Sequence, residues 1–222
     1  MTHRNEWMPE RLYDYVVAVG PSLDDVARDL IAETEERFPG PAGMQIPPEQ
    51  AGFLTLMTQL VGARSAVEVG TFTGFSSLAI ARGLPPDGRL LCLDVSEEWT
   101  SVAKRYWERA GVTDRIDLRI GPALDALRAL PTEPTIDLVF IDADKPNYLA
   151  YWEELVPRVR PGGVLLIDNV FFHLSVLEEN PARPGGAAIK AFNAHVRADP
   201  RVSHAVLPLG DGVTVARRVS RG

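Results

Sequence analysis

The chain is poor in cysteine. Its 222 residues hold one, Cys92, which excludes an internal disulfide framework and any multi-cysteine zinc site. Cys92 stands in an apolar run and reads as a buried, inert thiol. Long apolar runs are missing too: those at 138–141 and 164–167 are far too short to span a bilayer. The first seven residues hold no apolar signal core. No basic run occurs, and 23 Lys and Arg against 30 Asp and Glu give a net charge of −7. That balance argues against nucleic-acid binding and leaves no polybasic patch for anionic lipid. Histidines 3, 173, 195 and 204 lack the H-E-x-x-H spacing, and no G-x-S-x-G elbow occurs. Internal repeats are absent. The default expectation is a soluble protein of the reducing cytoplasm.

What is present is ordinary globular composition, 45% apolar and 24% charged, long enough to bury a full core. The first sixty or so residues read as helical. One helix is predicted from Pro21-Ser22, with Leu23, Val26, Leu30 and Ile31 on its apolar face, and a second after Pro47-Pro48. The texture then changes. Short Val/Ile/Leu runs at 65–69, 89–93, 116–120, 136–141 and 164–167 alternate with helical stretches at 76–82, 97–110, 123–130 and 148–158. Such alternation marks a parallel sheet covered on both faces. A helix over 187–197 follows, then strands over 202–209 and 212–219 around a two-residue Gly210-Asp211 turn. The expectation is one α/β domain, doubly wound and mostly parallel, with an antiparallel C-terminal hairpin. Residues 1–62 form a helical extension and 63–222 the core.

In open α/β sheets ligands bind beyond the carboxyl ends of the strands. The first strand ends in Glu68-Val69-Gly70-Thr71-Phe72-Thr73-Gly74, a G-x-x-x-G turn rather than the dinucleotide fingerprint G-x-G-x-x-G, with no G-K-[ST] phosphate grip. A plain strand-to-helix turn explains it about as well as a ligand loop. The second strand ends at Asp94, placed either to bind ribose hydroxyls or, with Ser96, to cap the next helix. Turn and acid together favour an adenosine-containing ligand without phosphates. The fourth strand ends in Asp142-Ala143-Asp144-Lys145 and the fifth in Asp168-Asn169. If these strands are neighbours, three oxygen-bearing side chains converge as Mg²⁺ or Ca²⁺ requires; otherwise the acids cap helices or loops. Lys145 reads either as a general base favoured by a nearby cation or as a surface lysine paired with Asp144. His173 lines a pocket only in the minority reading. His195 reads as surface or packing, and Trp7, Trp99, Trp107 and Trp152 as core or interface aromatics.

From Met44-Gln45 through the Glu68–Ser76 segment, the chain resembles the cation-dependent class I O-methyltransferases of the catechol and caffeoyl-CoA types. Gly121-Pro122-Ala123, Asp142-Ala143-Asp144-Lys145, Asn147-Tyr148, Pro161-Gly162-Gly163, Asp168-Asn169-Val170 and Leu209-Gly210-Asp211-Gly212 extend the likeness, in order, to about residue 219. The resemblance implies a Rossmann-like methyltransferase using S-adenosylmethionine (SAM). Glu68, Gly70 and Thr71 would shape its methionine pocket, and Ser76 would hold its carboxylate. Asp94 would take the ribose, the Ala123 backbone would meet the adenine, and Met44 would lie over the sulfonium. The resemblance further implies a divalent cation on Asp142, Asp168 and Asn169, with Mg²⁺ first and Ca²⁺ or Mn²⁺ as substitutes. Asp142 would also face the cofactor's amino group. Lys145 would be the base, and Lys145, Tyr148 and Phe172 would meet a catechol-like or other phenolic acceptor. Phe172 stands where the family often has tryptophan, and Ala143-Asp144 replace the bulky residues of small catechol enzymes, which points to the bacterial and caffeoyl-CoA-like branch. A homodimer with N-terminal helices over the site, and a role in natural-product biosynthesis, complete the expectation. The competing readings are a nicotinamide-dependent protein of the same fold class and a binding protein that has lost catalysis.

Overall fold

The computed structural model describes residues 8–220; His3 and Trp7 lie outside the described residues. A seven-stranded sheet has the order β3-β2-β1-β4-β5-β7-β6. Strands β1 (Ser65–Val69), β2 (Arg89–Asp94), β3 (Ile116–Ile120), β4 (Ile136–Ile141) and β5 (Val159–Ile167) are parallel. Strands β6 (Val202–Leu207) and β7 (Val213–Arg218) add an antiparallel edge, with Ile167 opposite Thr214. The expected doubly wound architecture is present.

Alternation along each strand divides the core into two layers. Leu138 and Phe140 point to the side covered by α2 (Asp25–Arg37), α3 (Pro48–Leu60), α4 (Phe75–Gly83) and α5 (Glu97–Arg109). Val139 and Ile141 point to the side covered by α6 (Ala123–Arg128), α7 (Tyr148–Leu155) and α8 (Gly186–Ala198). Because both faces are buried, the strands read as continuous apolar runs rather than as alternating ones. Cys92 is buried, as expected, and Trp107 and Trp152 are core residues.

Several element boundaries differ from the sequence reading; β5 begins at Val159 rather than Val164 and α6 ends at Arg128 rather than Leu130. Residues 10–19 form a helix of their own, α1 (Glu10–Val19), with Tyr13 turned inward and bonded to Glu49 on α3 at 3.2 Å. Helix α2 begins at Asp25 rather than at Pro21, because the Asp24 side chain accepts the Ala27 N–H at 2.9 Å and sets the N-cap there. The C-terminal connection spans 208–212 rather than two residues. Gly210 and Gly212 take φ of 53° and 85° there, and the Asp211 and Gly212 carbonyls accept bonds from Phe171 and Val170 instead of continuing the ladder. A smaller change concerns α7, which ends at Leu155 and passes into a 3₁₀ turn containing Pro157, whose ring nitrogen has no proton to continue the helix.

Candidate active site

Strands β1 and β4 are neighbours although two strands and three α-helices separate them in sequence, so the chain reverses its winding between them. A crevice opens at such a switch point. Gly70, Asp142 and Asp168 stand side by side there: the Asp142 N–H donates to Val69 and the Asp168 N–H to Ile141, each at the last rung of its ladder. Gly70 has φ of 92°, and a Cβ on it would lie 2.0 Å from the Asp142 carbonyl oxygen. Only glycine lets β1 turn this close to β4.

A cavity of about 660 Å³ occupies the crevice. Of the residues singled out in the sequence, Met44, Gly70, Thr71, Ser76, Asp94, Ala123, Asp142, Lys145, Asn169 and Phe172 line it. Glu68, Tyr148 and Asp168 do not; they are buried directly behind its wall. Tyr148, expected at the acceptor, instead supports Lys145 from below.

Asp94 does more than either sequence reading allowed. Its Oδ2 accepts the N–H groups of Thr71 and Phe72 at 2.9 and 2.8 Å, and its Oδ1 accepts Ser96 N–H at 2.8 Å. It thus pins the glycine-rich turn while still facing the cavity. The α5 cap falls to Ser96, whose Oγ accepts the Trp99 N–H. Beneath the turn, Glu68 is fully buried, with Oε2 accepting the Thr71 hydroxyl at 3.0 Å. Burial pushes its pKa up to about 7, although Ser76, Cys92, Thr71 and Ser77 around the carboxyl oppose the rise.

Lys145 is not paired with Asp144. Its Nζ donates to Asp142 Oδ1 at 2.9 Å, Asn169 Oδ1 at 2.6 Å and the Tyr148 hydroxyl at 2.7 Å. Burial, then the charges of Asp142 and Asp168, raise Tyr148 well above the ordinary phenol range, so it stays protonated and donates to the Asp168 carbonyl at 3.2 Å. Burial first and the Asp142 charge second push the Asp168 carboxyl up as well, against the pull of Lys145 and the Gln50 amide. The Asp142 carboxyl and the Asn169 amide oxygen, both hard donors, thus meet the Lys145 ammonium, with the Asp168 carboxyl buried beside them. This donor set fits Mg²⁺ or a similar divalent cation.

Several cavity residues carried little signal in the sequence. Phe72 and Trp99 form an edge-on pair at 5.2 Å between ring centres, and Trp99 faces the cavity instead of filling the core. Asp144, bonded to the Tyr151 hydroxyl at 2.5 Å and to Asn147 at 2.6 Å, also lines it, as do His173 and Asp211. Another group of ligand-type residues, Glu153, His195 and Asp199, lies outside the cavity, and the Arg201 guanidinium already bridges Glu153 and Asp199.

Strand order, crevice and cavity define a Rossmann-like α/β protein with a ligand site at its switch point. The family model described as O-methyltransferase matches residues 21–219, and the chain belongs to that family. A probable caffeoyl-CoA O-methyltransferase of Dictyostelium discoideum is 37% identical over 94% of this chain and 92% of its own length. Among solved structures, an O-methyltransferase of Bacillus cereus in complex with S-adenosylhomocysteine (SAH) is 34% identical, with a TM-score of 0.83 over 92% of this chain and 96% of that one. An O-methyltransferase of Streptomyces achromogenes involved in tomaymycin synthesis, solved with SAM, is 27% identical, with a TM-score of 0.87 over 99% of this chain and 100% of that one. The protein is accordingly a SAM-dependent O-methyltransferase of the caffeoyl-CoA O-methyltransferase type. The readings as a nicotinamide-dependent protein or a non-catalytic binder fall with this result.

Proposed function

We propose that the protein methylates one hydroxyl of a vicinal pair on a phenolic small molecule, with a divalent cation, Mg²⁺ first and Ca²⁺ or Mn²⁺ as substitutes, held by Asp142, Asp168 and Asn169. One observation carries the reading. The Lys145 ammonium lies between Asp142 Oδ1 and Asn169 Oδ1 at the cavity wall, with the Asp168 carboxyl buried behind. The caffeoyl-CoA relative and the tomaymycin neighbour support a phenolic acceptor and a natural-product role. The wider reading is one domain, with residues 1–62 as its cap, working as a cytoplasmic homodimer.

A free phenol has a pKa near ~10, so only about 0.1% is ionised at neutral pH. SAM supplies the electrophilic methyl, and a divalent cation supplies the charge that favours an ionised acceptor oxygen. This chain's residues do the rest. In its neutral amine form Lys145 Nζ would take the acceptor's proton, and as an ammonium its charge would stabilise the ionised acceptor oxygen; the Tyr148 hydroxyl holds that nitrogen in place. Phe172 walls the acceptor. Glu68, Gly70, Thr71 and Ser76 hold the methionine end of the cofactor. Asp94 keeps acceptor capacity on Oδ1 for the ribose, since Oδ2 already accepts two N–H groups. The Ala123 backbone meets the adenine, Met44 covers the sulfonium and Asp142 takes the amino group. Holding oxygen and methyl in line contributes about 7–11 kcal/mol in favourable cases.

Substitution of the ligands tests the cation. Asp168→Ala and Asp142→Ala are expected to abolish cation-dependent turnover while SAM still binds, more weakly in Asp142→Ala. Full activity in both variants overturns the metal assignment.

A further inference from the structure

The Gly210-Asp211-Gly212 turn has no place in the chemistry above, yet it reaches the cavity. The segment after the Asp168-Asn169 pair is strained: Asn169, Phe172, His173 and Leu174 take φ of 55°, 46°, 54° and 61°. Non-glycine residues enter this left-handed region rarely, and runs of them persist only where their surroundings hold them. The turn does the holding. The His173 N–H donates to both oxygens of the Asp211 carboxylate, at 2.9 and 3.1 Å. The Phe171 N–H donates to the Asp211 carbonyl at 3.0 Å, and the Val170 N–H to that of Gly212 at 3.0 Å. A Cβ on Gly212 would lie 2.6 Å from the Phe171 ring, so glycine is required for the turn to come this close. The Asp211 side chain itself is buried at the cavity wall, beside Phe172 and His173.

We infer that Asp211 is a positioning residue that fixes the Phe172-His173 wall and thereby decides which hydroxyl of a vicinal pair is methylated. This rests on the proposed function for its acceptor. A carboxylate accepting a backbone N–H makes a charge-assisted bond, stronger than a neutral one. Its loss frees Phe172 and His173 to relax toward ordinary backbone angles, and the acceptor ring then has two orientations of similar energy. The chemistry at Lys145 and the cofactor's seat are untouched.

The test is regiochemistry with caffeic acid, an unsymmetrical catechol, as acceptor. Asp211→Ala is expected to raise the acceptor KM about tenfold, the usual scale for a lost charge-assisted hydrogen bond, and to move the ratio of meta to para product toward one. SAH affinity is expected to stay within about twofold, since the cofactor's seat is not touched. Asp211→Asn, which keeps an accepting oxygen, is expected to restore most of the wild-type product ratio. An unchanged ratio and KM in a folded Asp211→Ala protein overturn the inference, and so does an Asp211→Asn variant as indiscriminate as Asp211→Ala. Hydrogen exchange on the wild-type protein covers a variant that does not fold: the His173 amide is expected to be protected, and exchange at the rate of an open loop overturns the inference. Wild-type failure to methylate any vicinal diol defeats the proposed function instead, and the exchange measurement still reads the pin.

Discussion

Glu68 offers a sharp test of the electrostatics beneath the glycine-rich turn. Its carboxyl is fully buried on β1, and burial carries its pKa from 4.5 to about 7. The sign follows from linkage. Below pH 4.5 the group is protonated in both folded and unfolded chains and costs nothing. Between pH 4.5 and about 7 the unfolded chain releases the proton while the folded chain keeps it, so stability falls as pH rises. Above about 7 both states are ionised and the loss is constant. At about 1.4 kcal/mol per pKa unit, the full loss is about 3 kcal/mol. Glu68→Gln keeps the shape and removes the titration. Urea unfolding of both proteins without cofactor, from pH 4.5 to 8, gives the difference in stability, in which the other titrating groups cancel. That difference is expected to move in favour of the variant by about 3 kcal/mol up to pH 7 and then level off. Parallel profiles across the range refute the reasoning.

Other outcomes follow from the same structure. Asp199 accepts Trp152 Nε1 at 2.8 Å and the Arg201 fork, which holds its carboxyl well below the usual range despite burial. Asp199→Ala is expected to cost about 1.5–3 kcal/mol by urea unfolding at pH 7, and the cost is expected to shrink as pH falls below the ordinary aspartate range. Gly70→Ala drives a methyl into the Asp142 carbonyl, so a loss of about 1–3 kcal/mol in stability, with weaker SAM binding by calorimetry, is expected. Lys145→Met is expected to lower kcat by about 10²–10⁴-fold with SAM affinity retained, and an unchanged rate excludes Lys145 as the base.

Most of the sheet was legible because its strands are buried on both faces and announce themselves as short Val/Ile/Leu runs between helices. The strand ends were legible for the same reason: once β4 and β5 are neighbours, Asp142 and Asp168 must stand together. What hid was tertiary. Helix α1 carries Leu12, Tyr15 and Val19 on its exposed face, so its pattern did not mark a core-facing stripe. Asp211 looked like a hairpin residue because sequence spacing cannot show that its carbonyl and carboxylate serve the 170–173 segment. Lys145 looked free to pair with Asp144, but the local turn gives Asp144 to Tyr151 and Asn147 and aims Lys145 at Asp142 and Asn169. Trp99 sits at the start of α5 beside a helix N-cap, and nothing local told a cavity tryptophan from a core one.

The central claim is cation-dependent methyl transfer from SAM to a vicinal phenolic pair. It is tested most directly by incubating the protein with SAM and catechol, caffeic acid or caffeoyl-CoA, each with Mg²⁺ and with EDTA, and reading the acceptor's mass. The account predicts a gain of one methylene in at least one acceptor with Mg²⁺ and none with EDTA. A gain that EDTA leaves intact contradicts the role given to Asp142, Asp168 and Asn169.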